Sequence, residues 1–460
     1  MSESADAQST AERAISTQEA GLRRQLSAGQ MAMVAVGGSI GTGLLLGSGA
    51  AIQMAGPAVI LTYALGAFLA WTVINALGEM ASVHPAAGSF GVYADLYLNN
   101  WAGFVVRYGY WLSLVVAIGS ELVAAATYTH FWFPALPTVL MVAVFAIGLL
   151  VVNLRPVHDY GRIEYWFSMI KVITIVIFVL LGASLLLTGK VAPQYRAEGG
   201  GFLPHGPASP LLAISFALFS FLGIEFLAVS SGEARAQSEI PRATRLAFAL
   251  LTFVYVGATV VLVGVMPWQQ AGVSQSPFVT VFQVARLPAV SQVMNFVVLT
   301  AALSGANASL YVAARMLFSL ARSGYAPPQL GRLSAAGEPR AALLLSGIGI
   351  LVAMLAAQYA PERAYLYIIE GSLFGGMLAW CISLLAHVSF RRRLPRTQVA
   401  ALPMRAPGGA AMSIIGFVGI VIAIASTWWT PQSRVTVVSG LPGLLILSVG
   451  YLLVRRRRQP

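Results

Sequence analysis

The chain has 460 residues, of which 58% are hydrophobic and 10% are charged, whereas soluble proteins carry about 25% charged residues. This composition excludes an ordinary soluble globular protein and predicts a membrane protein. The formal net charge of +12 is distributed as membrane topology requires rather than as one patch, so we expect no nucleic-acid partner.

Twelve apolar segments are long enough to cross about 30 Å of hydrocarbon. The predicted spans 1 to 12 lie near residues 30–53, 57–82, 101–129, 136–154, 163–188, 209–231, 246–267, 289–320, 341–358, 363–389, 411–430 and 437–454. The intervening segments are too short to bury a core of their own, so a single transmembrane domain is expected over residues 29–455. Residues 1–28 are predicted to form a disordered cytoplasmic tail, and residues 455–460 a basic cytoplasmic tail.

Charge and side-chain counts set the topology and exclude two kinds of site. Most of the 28 lysine and arginine residues fall in segments that face the cytoplasm if both termini lie there, as the positive-inside rule requires. The single cysteine, Cys381, excludes an intrachain disulfide. The five histidines are expected in loops or at span ends and lack metal-ligand spacing, so we expect no metal site.

The stretch VGGSIGTGLLLGSG, residues 36–49, places six glycines inside span 1. A phosphate loop is excluded, since no Lys-Ser/Thr follows and no strand precedes it. Two interpretations stay open: close helix packing through Gly43 and Gly47, and a helix break near the bilayer midplane that frees backbone groups for a ligand. We assign Gly41 and Gly43 to the break and Gly47 and Gly49 to packing, and therefore expect Gly49→Ala to be tolerated.

Span 6 supplies a counterpart to this break, with FLGIE at residues 221–225. Each break lies in the first span of a five-span block, and because five is odd the second block must be inverted. The predicted fold is an all-α membrane protein of twelve transmembrane helices. It comprises a 5+5 inverted repeat (29–188 and 209–390) with broken helices 1 and 6, plus two extra C-terminal helices over 411–454.

Several ordered motifs carry a resemblance to a known family, among them GGSIGTGLLLGSG, IKVITIVIF, FLGIEFLAVSSGEA and SGANASLYVAARMLFSLARSGYAP. Over about residues 20–400 the chain resembles the bacterial amino acid transporter family of the amino acid–polyamine–organocation superfamily. The resemblance implies a multi-pass permease of the bacterial cytoplasmic membrane that imports an amino acid by secondary active transport, usually by proton symport with alternating access.

Other functions remain as alternatives to symport. An amino acid exchanger or uniporter is the nearest. A channel needs a repeated filter, and an intramembrane enzyme needs a nucleophile–base or metal constellation; neither is apparent, so no enzyme activity is expected. We expect the amino acid and the lipid bilayer as partners, no cofactor except the coupling proton, and a monomer or weak homo-oligomer.

The two breaks suit a zwitterion. The second half of span 1 begins near Thr42 and Gly43, and its free N–H groups favour a carboxylate. The carbonyls that end the first halves of spans 1 and 6 favour an ammonium, and glycines allow close approach. The resemblance assigns the same roles to the same segments. The candidate substrate-binding residues are Ser39, Ile40, Gly41, Thr42, Gly43, Phe219, Ser220, Leu222 and Gly223.

Lys171, in span 5, is the candidate for proton coupling. It either snorkels to the cytoplasmic interface or acts inside the membrane, where ionisable groups are usually functional. In related permeases a lysine at this motif position takes the place of a sodium ion beside the break in span 1. Glu225 and Glu233 are further candidates for proton handling, although Glu233 could equally be a gate or a salt-bridge partner.

Four residues are candidates for a gate or a side-chain pocket: Phe221, Glu121, Glu225 and Glu370. Glu121 could instead make only a structural hydrogen bond, and Phe221 could be ordinary packing. Glu370 could face an outer vestibule and favour a cationic substrate, or lie at the interface beside Arg363. Glu79 is expected to stabilise the inner end of span 2, and Trp380 to serve packing alone.

Overall fold

A computed structural model of the chain describes residues 26–86, 88–153, 157–196, 200–334, 339–359 and 363–458. Within these residues the backbone is helical except for turns and loops, and its one β pairing is an isolated bridge between Leu26 and Ala234. Most of the predicted N-terminal tail, residues 1–25, and the final residues 459–460 lie outside the described residues.

Every predicted span coincides with one, two or three helical pieces. Spans 1 to 6 are Ala28–Ser39 followed by Gly43–Gly47 and Ser48–Ala55; Val59–Val83; Asn100–His130; Thr138–Asn153; Val157–Leu187; and Ile214–Phe221 followed by Phe226–Ser230. Spans 7 to 12 are Glu239–Val265; Pro288–Arg322; Arg340–Ser346 with Ile348–Tyr359; Ala364–Arg393; Gly409–Ser426; and Arg434–Arg458. Shorter helices, Ser89–Tyr97 and Pro277–Val284, lie in the loops after spans 2 and 7.

By length and composition alone, ten helical segments of the described chain could cross a membrane. The difference from twelve has two causes. Span 4 is shorter than the others, at 16 residues. The outer half of span 1 runs into span 2 through a 3₁₀ turn, Gly56–Ala58, so that Gly43–Val83 counts as one segment of 41 residues.

Both predicted helix breaks are present. Span 1 stops at Ser39 and resumes with a π-helical turn at Gly43–Gly47. Span 6 stops at Phe221, and Leu222 then takes an extended ψ of 136°. We call the four helical pieces span 1a (Ala28–Ser39), span 1b (43–55), span 6a (Ile214–Phe221) and span 6b (Phe226–Ser230).

Gly223 brings the two breaks into contact. Its φ is +108°, a conformation that side chains with a Cβ rarely adopt. A Cβ atom there would also lie 2.7 Å from the carbonyl carbon of Gly38 and 2.8 Å from the Ser39 nitrogen. Both the backbone angle and the close approach of span 1 therefore require glycine at this position.

The remaining spans surround this pair. Span 3 packs along spans 8, 9 and 10, whereas span 1a packs against spans 5 and 7. Spans 11 and 12 lie at the periphery, where span 11 contacts spans 2 and 10 and span 12 contacts spans 3 and 10. Large apolar side chains of span 12, such as Leu445 and Ile446, are exposed, as expected for a surface that faces lipid.

Hydrogen bonds hold span 1 to other segments on both sides of its break. At its inner end, the Leu26 N–H donates to Glu233 O and the Arg235 N–H donates to Leu26 O, both at 2.9 Å. Glu239 Oε2 accepts the Ala28 N–H at 2.8 Å. On the other side of the break, Ser276 Oγ of the loop after span 7 donates to Leu45 O in the first turn of span 1b at 2.6 Å. The breaks are therefore enclosed from both sides.

One prediction about a single residue is wrong. A Cβ atom on Gly49 would lie 1.9 Å from Gly272 O in the loop after span 7, so Gly49→Ala should not be tolerated. His387 lies near the C-terminal end of span 10, which ends at Arg393. It is fully buried, with Nδ1 2.7 Å from Ser413 Oγ and Nε2 3.4 Å from Glu79 Oε1.

The candidate substrate site at the paired helix breaks

The structure brings the predicted substrate-binding segments of spans 1 and 6 together. A Cβ atom on Gly43 would lie 2.8 Å from Phe219 Cδ1 and 2.8 Å from the Ser220 Cα atom, so the start of span 1b lies directly against the end of span 6a. Leu222 is half-buried, and the other eight candidates are buried. The two breaks thus form one enclosed region of irregular backbone, which membranes tolerate only within protein.

Tyrosine hydroxyls satisfy several backbone carbonyls of the breaks. The Tyr255 hydroxyl of span 7 lies 2.7 Å from both Ser39 O and Ser220 O. The Tyr365 hydroxyl of span 10 donates to Thr42 O at 2.7 Å. Since a carbonyl has two lone pairs, each of these oxygens can accept one further donor. The sequence did not single out these tyrosines, although a tyrosine within an apolar span needs a hydrogen-bond partner.

Lys171 lies at the inner side of the break in span 1. Its Nζ donates to Gly37 O at 2.8 Å and to Ile40 O at 3.2 Å, and the residue is 1% exposed. This geometry contradicts the alternative of an interfacial, snorkelling lysine. The ammonium instead caps the carbonyl end of span 1a, where the helix dipole favours a cation.

Glu121 lies on the other side of the same break. The Thr42 N–H donates to Glu121 Oε1 at 3.2 Å and to Oε2 at 3.3 Å. The alternative of a structural bond to a neighbouring helix is therefore correct in part, but the bond is to the backbone of the break. A carboxylate of the protein occupies the helix terminus that was predicted to receive a carboxylate.

Glu225 lies in the turn between spans 6a and 6b and connects it to the surrounding spans. Its Oε1 accepts the hydroxyl of Tyr110 from span 3. Its Oε2 accepts Trp380 Nε1 of span 10 at 3.0 Å and the Gly223 N–H at 3.1 Å. The expectation that Trp380 serves packing alone is thus wrong, because its indole N–H binds this carboxylate.

The three other candidates lie away from the break or in packing. Glu370 is buried, not open to a vestibule, and accepts hydroxyls of Ser215 at 2.9 Å, Ser433 at 2.7 Å and Thr436 at 2.6 Å. Glu233 lies in the inner contact with Leu26, described above, and has Arg315 of span 8 as an electrostatic partner. Phe221 packs edge-on against Tyr255, with ring centroids 4.6 Å apart.

A separate ionic cluster holds the inner ends of spans 2 and 10. The Glu79 carboxylate accepts hydrogen bonds from Arg391 Nη2 and the Ala406 N–H. It also forms an ion pair with Arg391 Nε, with His387 beside it. This agrees with a stabilising role for Glu79. Among the residues that the structure describes, no three His, Cys, Asp or Glu side chains are grouped so that they could hold a metal ion.

Two broken helices, packed at a buried midpoint and surrounded by ten further spans, define a transporter architecture. A solved manganese transporter from Eremococcus coleocola, in complex with an aromatic bis-isothiourea substituted compound, shares the fold at a TM-score of 0.57 and 14% identity. The match covers 93% of this chain and 94% of that one. The model of the amino acid permease family matches residues 30–460, and the chain belongs to that family.

Curated relatives match over nearly their whole length. The chain is 33% identical over 451 residues to the gamma-aminobutyric acid permease of Bacillus subtilis (strain 168), covering 96% of this chain and 95% of that protein. It is 35% identical over 438 residues to the aromatic amino acid transport protein AroP of Escherichia coli (strain K12), with 94% and 95% covered. The predicted family is confirmed, and the protein is a multi-pass membrane protein of a permease family.

Proposed function

We propose that the protein imports an amino acid across the bacterial cytoplasmic membrane by proton symport. The observation that carries this proposal is the arrangement at the break in span 1. Lys171 Nζ lies on Gly37 O and Ile40 O. Two residues after Ile40, the Thr42 N–H lies at the N-cap position of span 1b. Groups that suit an ammonium and a carboxylate therefore lie side by side, next to a titratable lysine.

The break recognises the part that all amino acids share. The substrate carboxylate binds at the start of span 1b, where N–H groups and the helix dipole favour an anion. The substrate ammonium binds the carbonyls at the ends of spans 1a and 6a. Ser39 Oγ supports a polar ligand here, because this buried hydroxyl makes no hydrogen bond to any other described residue.

Lys171 couples proton movement to transport. When protonated, it can donate three hydrogen bonds and holds the carbonyls that end span 1a, and the neutral amine holds them less strongly. Its protonation state therefore bears on whether span 1a keeps its position. Glu225 and Glu233 are secondary candidates in proton handling. Glu225 joins the break in span 6 to spans 3 and 10, and Glu233 lies at the contact with Leu26.

Alternating access uses the two sets of closing contacts. To release substrate inward, the bridge between Leu26 and Ala234 and the bond from Ala28 to Glu239 must open. To admit substrate from outside, span 1b must separate from the loop after span 7, where Ser276 binds Leu45 O. The rest of the bundle stays around the central site, as in transporters with inverted repeats.

The names of the relatives suggest the first substrates to try. Gamma-aminobutyric acid and the aromatic amino acids differ in side chain and in the spacing of the charged groups, but each carries an amino group and a carboxylate. We therefore propose an amino acid as the substrate class and place the choice among amino acids in the side-chain pocket. An exchanger or a uniporter is the alternative mechanism.

Uptake into proteoliposomes tests the proposal. The purified full chain is reconstituted, and a panel of twenty labelled amino acids plus 4-aminobutyrate is offered with and without an inwardly directed proton gradient. Saturable accumulation above the outside concentration, driven by the gradient, supports symport. Flux that only dissipates a substrate gradient indicates a uniporter, and uptake that requires internal substrate indicates an exchanger.

The variant Lys171→Gln tests the coupling residue. It should lose proton-driven accumulation, because glutamine cannot carry the proton. Lys190→Gln is the matched control, since Lys190 is the other lysine of the chain and lies exposed in the loop after span 5. Undiminished proton-driven accumulation by Lys171→Gln would remove Lys171 from the mechanism.

A further inference from the structure

Glu121 of span 3 holds its carboxylate where the proposed function places the carboxylate of the substrate. The Thr42 N–H points to both of its oxygens, at 3.2 and 3.3 Å, and Glu121 is 6% exposed. A helix N-terminus attracts an anion through its unpaired N–H groups. In this structure the protein supplies that anion itself.

Two glycines leave the space that this carboxylate occupies. A Cβ atom on Gly41 would lie 2.4 Å from Glu121 Oε1, and one on Gly305 of span 8 would lie 2.8 Å from Glu121 Cδ. Real Cβ atoms essentially never make contacts under 3.0 Å. The carboxylate therefore fills a space between spans 1 and 8 that exists only because both positions are glycine.

The ionisable groups around Glu121 come from four spans. Lys171 of span 5 attracts the carboxylate electrostatically. Three buried tyrosines also interact electrostatically with this carboxylate: Tyr128 of span 3, Tyr255 of span 7 and Tyr365 of span 10. Lys171 is the basic member of this set, so the Glu121–Lys171 pair carries no net charge when both groups are ionised.

A substrate carboxylate at the same terminus disturbs this balance. Two carboxylates would then share one N–H terminus, while the substrate ammonium lies on the carbonyls that end spans 1a and 6a. Like charges so close together in a buried site cannot both stay ionised without a large cost in free energy. A proton on Glu121 removes the repulsion and turns one carboxylate oxygen into a donor that can bind the incoming carboxylate.

We propose that the substrate carboxylate displaces Glu121 from the Thr42 N–H and that Glu121 takes up the transported proton as it is displaced. This inference rests on the proposed function and assigns the transported proton to Glu121 in place of Lys171. One proton from the outer water forms one O–H bond on Glu121, and it returns to the cytoplasmic water when the substrate leaves. In this scheme Lys171 keeps its own proton throughout and balances the charge of Glu121 in the empty site, so Lys171→Gln should lose coupling because the positive charge is missing.

Calorimetric binding measures the proton directly. L-phenylalanine or 4-aminobutyrate, whichever the wild-type protein accumulates, or otherwise the amino acid that the uptake panel identifies, is titrated into the full chain in lipid nanodiscs. Buffers of different ionisation enthalpy report the number of protons taken up per substrate. We expect about one for the wild type, so that affinity falls by about tenfold per pH unit where uptake is complete.

Glu121→Gln should bind with no proton uptake, and its affinity should change by less than about twofold between pH 5 and 8. Glu370→Gln is the matched control, since it removes an equally buried carboxylate whose partners are hydroxyls of spans 6 and 12. Its proton uptake per bound substrate should equal that of the wild type.

The outcomes separate the inference from the proposed function. Proton uptake by Glu121→Gln that matches the wild type would overturn the inference and leave symport intact. A wild-type protein that binds amino acids without proton uptake and does not accumulate them along a proton gradient would instead refute symport itself. If Glu121→Gln binds too weakly to titrate, Glu121→Asp takes its place: its shorter side chain should shift the pH midpoint of binding, and an unshifted midpoint counts against the inference.

Discussion

The breaks in spans 1 and 6 are paired by the repeat but are held by different chemistry. Two oppositely charged side chains from other spans hold span 1: Lys171 lies on its carbonyls and Glu121 on its amide. A carboxylate of its own turn holds span 6, as Glu225 binds three neutral donors. The break in span 1 is therefore held by ionisable side chains that a substrate or a change of protonation could displace. The break in span 6 is held by hydrogen bonds from neutral donors to its own Glu225.

The largest effect should come from filling the contact between the two breaks. Gly223→Ala places a Cβ atom in the backbone of span 1 and forces an unfavourable φ. We expect initial uptake to fall by at least about 100-fold, in line with the several kcal/mol that such overpacking and strain cost. Gly43→Val fills the same contact from the span 1 side. It should abolish transport, while the protein still inserts into the membrane.

Gly371→Ala in span 10 is the control for both variants, because nothing lies within 4 Å of a Cβ atom there. Uptake is normalised to the amount of protein in the membrane. If Gly223→Ala transports as well as Gly371→Ala, the two breaks do not need their close contact.

The next largest loss of uptake should come from substitutions at the break in span 6. Glu225→Gln removes a carboxylate that accepts three donors, and hydrogen bonds to a charged group contribute about 1.5–3 kcal/mol. We expect uptake to fall by about 10- to 100-fold. Trp380→Phe removes one donor of the three and should cost less. A larger loss in Trp380→Phe than in Glu225→Gln would show that the indole acts through something other than this bond.

A smaller effect should appear at the outer end of span 1. Gly49→Ala drives a methyl group against Gly272 O, and overpacking of this kind costs about 1–3 kcal/mol. Thermal unfolding in detergent should show the loss as a lower midpoint. The control is Gly29→Ala at the start of span 1a, where a Cβ atom has nothing within 4 Å. Equal midpoints for the two variants would mean that the loop after span 7 yields easily.

The smallest effect should follow from Tyr255→Phe. The lost hydroxyl lies between Ser39 O and Ser220 O, and one hydrogen bond contributes about 0.5–1.5 kcal/mol. We expect the KM for uptake to rise by about 2- to 10-fold with little change in the amount of folded protein. Tyr165→Phe, at an exposed position in span 5, serves as control, and an unchanged KM for Tyr255→Phe would assign the hydroxyl to packing.

The fold was accessible from the sequence because apolar runs and paired glycine breaks are local signals. The same holds for the break residues and for Lys171, a basic residue predicted within span 5. The partners of these groups were not accessible. Tyr255 lies 216 residues from Ser39 and Glu121 lies 79 residues from Thr42, and no period or spacing links such pairs.

The same limit explains the wrong predictions. Gly49 looked like a tolerant packing glycine because the loop that covers it, at Gly272, comes more than 200 residues later. Trp380 looked like packing because an indole in an apolar span gives no sign of which carboxylate it will meet. Contacts between distant segments are set by how the helices tilt and cross, which the linear pattern does not record.

The turn at Gly56–Ala58 makes span 1b and span 2 one continuous piece of 41 residues, Gly43–Val83. The turn is tight, since Gly56 has a φ of +62° and a Cβ atom there would lie 2.3 Å from Pro204. The turn leaves no flexible linker between the two helices, so we expect them to move as one rigid unit. We therefore expect a tilt of span 1b to swing span 2 as well and to reach Glu79 near the C-terminal end of span 2.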